Sequence, residues 1–191
     1  EFQDNQVTVG AGSYVYGIHR YDPDNSGEDQ NGNLLPADFK VGYLSGSDVS
    51  PVLETPGDNT MPAQWNEITS SGGGSSSATL TDLKSDKFAK HAFYVVGDGS
   101  NRQYVLQYGQ KEFDSVTEAI EGGRPPRLSL FTKNVALIAS IVVNSSGDIE
   151  EVIDERTGGT GGSGATGVTD HGQLTGRGDD DHEQYLLVNG D

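Results

Sequence analysis

Apolar and polar positions alternate through much of the first 155 residues, and a period of two marks strands with one buried face. In "QVTVGAGSYVYGIHRY" Val7 and Val9 alternate with polar neighbours, then Tyr14, Tyr16 and Ile18 fall on one face. "FKVGYL" repeats the pattern with Phe39, Val41 and Tyr43. "HAFYVVGDG" and "RQYVLQYG" predict a hairpin, because the connecting "GDGSN" holds residues that tolerate positive φ. "VALIASIVV" is apolar on both faces, as a central sandwich strand should be. After it, "SSGD" predicts a turn and "IEEVIDE" a returning strand.

One short helix is expected in "FDSVTEAIEGG". Ser115 with Glu118 three residues later makes a capping box, Gly122 and Gly123 stop the helix, and Pro125-Pro126 forbid its continuation. Two segments interrupt the strands. Tyr21 to Asn33 reads as a polar loop. "ETPGDNTMPAQWNEITSSGGGSSSATL" reads as a long Pro/Gly/Ser-rich insertion that holds Trp65, the only tryptophan. Together these elements predict a mainly β fold over residues 1–156, an antiparallel β-sandwich with one short helix.

After Arg156 the pattern changes. Gly158, Gly161, Gly164 and Gly167 recur every third residue in "GGT", "GGS", "GAT" and "GVT". That spacing is what a collagen triple helix needs at its axis, and it would make the protein a trimer. The triplets contain no proline, so a flexible Gly/Ser/Thr linker is the other reading. The expected division is therefore a β domain over 1–156, a Gly-rich linker over 157–169, and a last segment over 170–191, "DHGQLTGRGDDDHEQYLLVNGD".

Composition narrows the partners. With 27 glycines and a low hydrophobic content, many turns and short strands are expected rather than one large core. The net charge is −17 and no Lys/Arg cluster offsets it, which argues against nucleic acid and against anionic membranes. No apolar run approaches the ~20 residues of a membrane-spanning helix, and no signal peptide is evident. Cysteine is absent, so neither a disulfide framework nor a thiolate metal site is available. The chain does not start with Met, which suggests a processed or partial chain.

Several constellations carry chemistry. Asp22, Asp24 and Ser26 are spaced like the first ligands of a calcium loop, with Gly27 sixth, but position twelve is Asn33, and a polar surface turn is the preferred reading. Arg177-Gly178-Asp179 matches an integrin-binding tripeptide, yet Asp179 simply opens an acidic run. His171 and His182 give only two nitrogens per chain. Three chains around an axis would give six, enough to coordinate a transition metal, with Asp180 or Asp181 orienting the rings. Their alternative role is to cap turns and stack along the axis without metal. For catalysis, His19 and His91 lack a recognisable nucleophile partner and no phosphate-cradling Gly loop is present, so no enzyme is expected.

The last segment closely resembles one common in bacteriophage tail fibres and related virion proteins, of the form H-x-x-L-x-G-L-x-D-D-D-H-x-Q-Y-L-L-x-x-G. His171, Leu174, Gly176, Asp179, Asp180, Asp181, His182, Gln184, Tyr185, Leu186, Leu187 and Gly190 fit it. Arg177 departs where Leu is usual, which makes the Arg-Gly-Asp string accidental. A looser resemblance to phage fibre and baseplate proteins covers "FDSVTEAI" and the "ALIASIVV" strand, turn and "IDER" that follow. Together they span about a third of the chain. The resemblance implies a homotrimeric fibre segment in the virion, docked on other tail or baseplate proteins and serving attachment to a bacterial surface receptor. It implies a trimeric stalk after a collagen-like linker. Two other readings remain open: a glycan-binding β-sandwich using Trp65 and nearby tyrosines, or the non-catalytic N-terminal part of a depolymerase tailspike.

Overall fold

The computed structural model describes residues 5–16, 19–71, 75–97, 99–131 and 135–155. The linker residues Gly158 to Gly167 and the whole segment from His171 to Tyr185 lie outside that range. The order along the chain is β1 (Tyr14–Tyr16), β2 (His19–Tyr21), β3 (Phe39–Ser45), β4 (Ser50–Glu54), β5 (Gln64–Ser71), β6 (Ser75–Asp82), β7 (Phe88–Val96), β8 (Gln103–Gln107), β9 (Glu112–Phe113), α1 (Val116–Glu121), β10 (Val135–Asn144) and β11 (Ile149–Asp154). The fold is mainly β with one short helix, as the sequence predicts.

The centre is a seven-stranded sheet in the order β11-β10-β7-β8-β3-β4, with β9 also paired to β7. Every pairing in it is antiparallel except one: β3 and β8 run parallel, Phe39 opposite Tyr104 through Gly42 opposite Gln107. A purely antiparallel sheet is thus corrected at this position. The predicted hairpins form where expected. β7 turns into β8 with Val96 opposite Gln103, and Gly97 and Gly99 between them take positive φ. β10 turns into β11 through Asn144, whose Oδ1 accepts from the N–H groups of Ser146 and Asp148.

Strand β7 shows why both faces of this sheet are covered. Its period of two sends Ala89, Phe93 and Val95 into one cluster, with Phe39, Val41, Tyr104, Leu106, Ile141 and Val143. It sends Ala92 and Tyr94 to the opposite face, against Val105, Leu128 and Phe131. A third cluster, Phe113, Ala119 and Val142, seats α1 on that second face. The residues most deeply buried include Phe93, Leu106 and Ile141, each worth about 1.5–3 kcal/mol of burial. Gly42 belongs to the second face because a Cβ there would already lie 3.1 Å from Leu128 Cδ1.

Two sequence expectations differ from what forms. The Ser-rich insertion is not a loop: β5 and β6 make an eight-pair antiparallel hairpin, Gln64 opposite Asp82 to Ser71 opposite Ser75. Its Thr and Ser residues still alternate with Ile68, Ala78 and Leu80, and that is enough for a ladder when a core is available to one face. Trp65 and Leu80 pack against the main cluster. At the N-terminus, β1 and β2 pair antiparallel, Tyr14 opposite Tyr21 to Tyr16 opposite His19, and Ile18 lies outside the described residues. Val7 lies outside any strand, yet it is buried and its carbonyl accepts from Ala37 N–H.

Candidate functional site

The residues singled out from the sequence fall into three places. His171, His182, Leu174, Gly176, Asp179, Asp180, Asp181 and Tyr185 lie outside the described residues. Trp65 sits on β5 opposite Thr81, half-buried, with its ring committed to the core cluster. The Asp22–Gly27 stretch is a folded surface turn. Ser26 Oγ donates to Leu35 O and accepts from Val9 N–H, and Asp22 pairs with Arg20 Nε at 2.8 Å. Further on, Asp29 accepts from Asn31 and Asn33 N–H groups and from Asn33 Nδ2, which lowers its pKa, with the Asn33 side chain the largest cause.

The described body buries an unusual row of polar side chains: Asn66, Lys90, His91, Gln107 and Ser140. Each has a structural partner, and no buried side-chain nitrogen or oxygen among the described residues lacks one. Asn66 ties the β5–β6 hairpin to the central sheet. Its side chain accepts from Leu44 N–H and donates to Leu44 O and Thr79 O, while its own N–H donates to Gly109 O. Gln107 holds the irregular segment after α1 by donating to Pro126 O and accepting from Leu128 N–H. Prolines cannot supply ladder donors, so the amide substitutes for a strand partner.

His91 is the one buried imidazole of the described residues. Nδ1 accepts from Gly109 N–H at 2.9 Å, so Nε2 carries the proton and faces Pro62 O at 3.4 Å. Tyr108 meets the ring edge-on at 5.5 Å. Burial pushes its pKa down to about 4, only partly opposed by the Pro62 carbonyl. A neutral imidazole whose two nitrogens face backbone groups is placed to hold strands together. No serine or carboxylate side chain is bonded to it.

The opposite side of β7 forms a cleft of about 170 Å³. Two glycines bring together the segments around it. A Cβ on Gly109 would fall 2.5 Å from Lys90 O, so only glycine lets the exit of β8 run this close to β7. A Cβ on Gly122 would fall 2.4 Å from the Phe113 ring, so glycine is what lets the end of α1 pack there. Lys90 then reaches the end of α1, where its Nζ donates to Ile120 O and Gly122 O, both at 2.8 Å. The helix has no basic residue of its own in its last turn, and Lys90 supplies the cation that its exposed carbonyls favour. Desolvation lowers the Lys90 pKa, Glu155 opposes this and Arg124 adds to it.

Lys111 and Arg124 line the same cleft with Gln110, against walls of Phe113, Pro125 and Pro126. Lys111 Nζ stands 4.7 Å from the centre of the Phe113 ring. Sequence reading missed this grouping. The signal present was Lys90 itself, a cation inside the otherwise largely apolar run "FAKHAFYVV". Lys111 and Arg124 meet it only through the fold, from 21 and 34 positions away.

No family model matches the sequence. No curated protein matches it either, and no solved structure does.

Proposed function

We propose that this chain is a structural component of a bacteriophage tail fibre, a β domain that attaches or spaces a trimeric fibre serving adsorption to the bacterial surface. One observation carries the reading: the ordered string from His171 to Gly190, with Leu174, Gly176, Asp179 to Asp181 and Tyr185 in the spacing of the fibre motif. The glycine triplets from Gly158 to Gly167 support it, because a collagen-like segment and a trimer require each other. The folded body is compatible with a spacer. It has its own core on both faces of one sheet, and the helix and hairpin of the looser resemblance pack beside each other there.

In this reading the domain, as the larger sheet with its β5–β6 cover, is the sandwich that carries the stalk. Six imidazoles from His171 and His182 of three chains hold a transition-metal ion on the axis, and the protein acts without catalysis. The test is mass and position together. Sedimentation of the full chain should give three times the monomer mass, and Gly161→Ala with Gly164→Ala should weaken the association. Imaging of the intact particle with a label on this chain should place it at the tail. A monomer at micromolar concentration, or a label elsewhere on the particle, would refute the proposal.

A further inference from the structure

We infer that the cleft beside Lys90 is a binding site for a carboxylate-bearing sugar residue, a uronate taken one ring at a time. The argument starts from charge. The chain has 29 acidic and 12 basic residues, yet three of the basic ones, Lys90, Lys111 and Arg124, converge on one cleft. None of the described residues lining it carries a carboxylate. Glu118 and Glu155 stand beside it as ion-pair partners of Lys111 and Arg124, so three cations face two carboxylates there, in a molecule of net charge −17.

The side chains are presented in a graded way. Lys90 is only 6% exposed and is fixed by two carbonyls, so an ammonium with three donors keeps one N–H beyond those bonds. Burial already disfavours its charge, and a bound anion would offset that penalty. Lys111 and Arg124 are exposed and their ion pairs are long, to Glu118 at 3.3 Å and to Glu155 at 3.4 Å, with Lys111 also resting over the Phe113 ring. Pairs of that kind contribute little, so either cation can turn to a ligand at small cost. Arg124 supplies a planar fork suited to a carboxylate, and the Gln110 amide adds a donor and an acceptor suited to hydroxyls.

The walls and the size set the body of the ligand. Pro126 is the exposed apolar wall and offers its ring to sugar C–H groups, while Phe113 and Pro125 are buried behind it. The volume of about 170 Å³ falls below the ~300 Å³ at which pockets for drug-sized ligands begin, so it suits one small ring. The reading goes beyond the fibre proposal, resting on it only for choosing a sugar as the carrier of the carboxylate. A failed titration would remove the cleft and leave the fibre reading to the mass and imaging tests.

The probes are sodium glucuronate, glucose and sodium acetate, titrated separately into the full chain and followed by amide chemical shifts of residues 109–124. Glucuronate should give saturable shifts there with a dissociation constant on the order of 1 mM. Glucose and acetate should each bind at least about tenfold more weakly. Gly123→Glu should abolish the response by placing a carboxylate in the cleft. A Cβ at Gly123 meets nothing within 4 Å, so the melting temperature should hold. Arg124→Gln provides a second variant and should weaken binding about tenfold. No saturable response to glucuronate overturns the site. An equal response to glucose overturns the role of the cations, and an equal response to acetate overturns the sugar. An unchanged response in a folded variant overturns the placement.

Discussion

Protonation of His91 should set the stability of the domain between neutral and mildly acidic pH. Folded, this imidazole has a pKa of about 4, against 6.5 for a solvated one. Above pH 6.5 neither state binds a proton there, and its contribution is complete. As the pH falls below 6.5 the unfolded chain takes up the proton first, so stability is lost until about pH 4, below which both states are charged. The whole loss amounts to about 3 kcal/mol, and about 2 kcal/mol of it has gone by pH 5. Asp29, Asp58 and Asp114 have pKa values lowered from 3.8, so their losses come at lower pH still and leave this window clear. His91→Gln is the informative change. Its amide can accept from Gly109 N–H and donate to Pro62 O, but it loses the contact with Tyr108 and should cost about 1–2 kcal/mol at pH 7. Glutamine does not titrate, so the gap between the two proteins should shift by about 2 kcal/mol in favour of the variant at pH 5, closing or reversing it. Urea unfolding followed by the fluorescence of Trp65 at pH 7, 6 and 5 measures that gap. Relief of the general negative charge affects both proteins alike and cancels in the comparison. A gap that stays constant with pH would refute the assignment of a buried neutral imidazole.

Gly122→Ala should destabilise the domain by about 2 kcal/mol in the same assay, because the new methyl group meets the buried Phe113 ring and Glu118 O. Val49→Gly should raise the unfolding midpoint by the equivalent of about 1 kcal/mol, since Val49 is a β-branched residue held at φ 49. If the stalk histidines hold metal, elemental analysis of the purified trimer should find roughly one transition-metal ion per three chains. His182→Ala should remove it and lower the melting temperature. A chain ending at Arg156 should still melt in one cooperative transition, seen by circular dichroism, because the described core lies wholly before that residue.

The parts of the fold legible in the sequence are those set by local chemistry. The β7–β8 and β10–β11 hairpins follow from alternation and from glycines at positions of positive φ. The helix follows from Ser115, whose side chain accepts Glu118 N–H, while Glu118 reaches back to Asp114 N–H. What stayed hidden depends on distant partners. The β5–β6 strands are too polar to announce themselves, and they form because Asn66 and Trp65 anchor them to the sheet. The cleft was invisible for the same reason, since Gly109 and Gly122 matter only once Lys90 and Phe113 lie against them.

The parallel neighbours β3 and β8 impose an order in time. Phe39 and its partner Tyr104 are 65 positions apart, and closing a loop of that length costs about 4 kcal/mol of chain entropy before any contact repays it. β7, β8, β10 and β11 can zip as short-range hairpins, whereas β3 needs β8 already in place on its other side. On the ribosome the delay is longer. At roughly 5–20 residues per second, several seconds pass between the synthesis of β3 and that of β8. Through that interval the nascent chain carries Phe39 and Val41 without the strand that will cover one flank of β3, and β4 is the only strand yet made that can pair with it in the sheet.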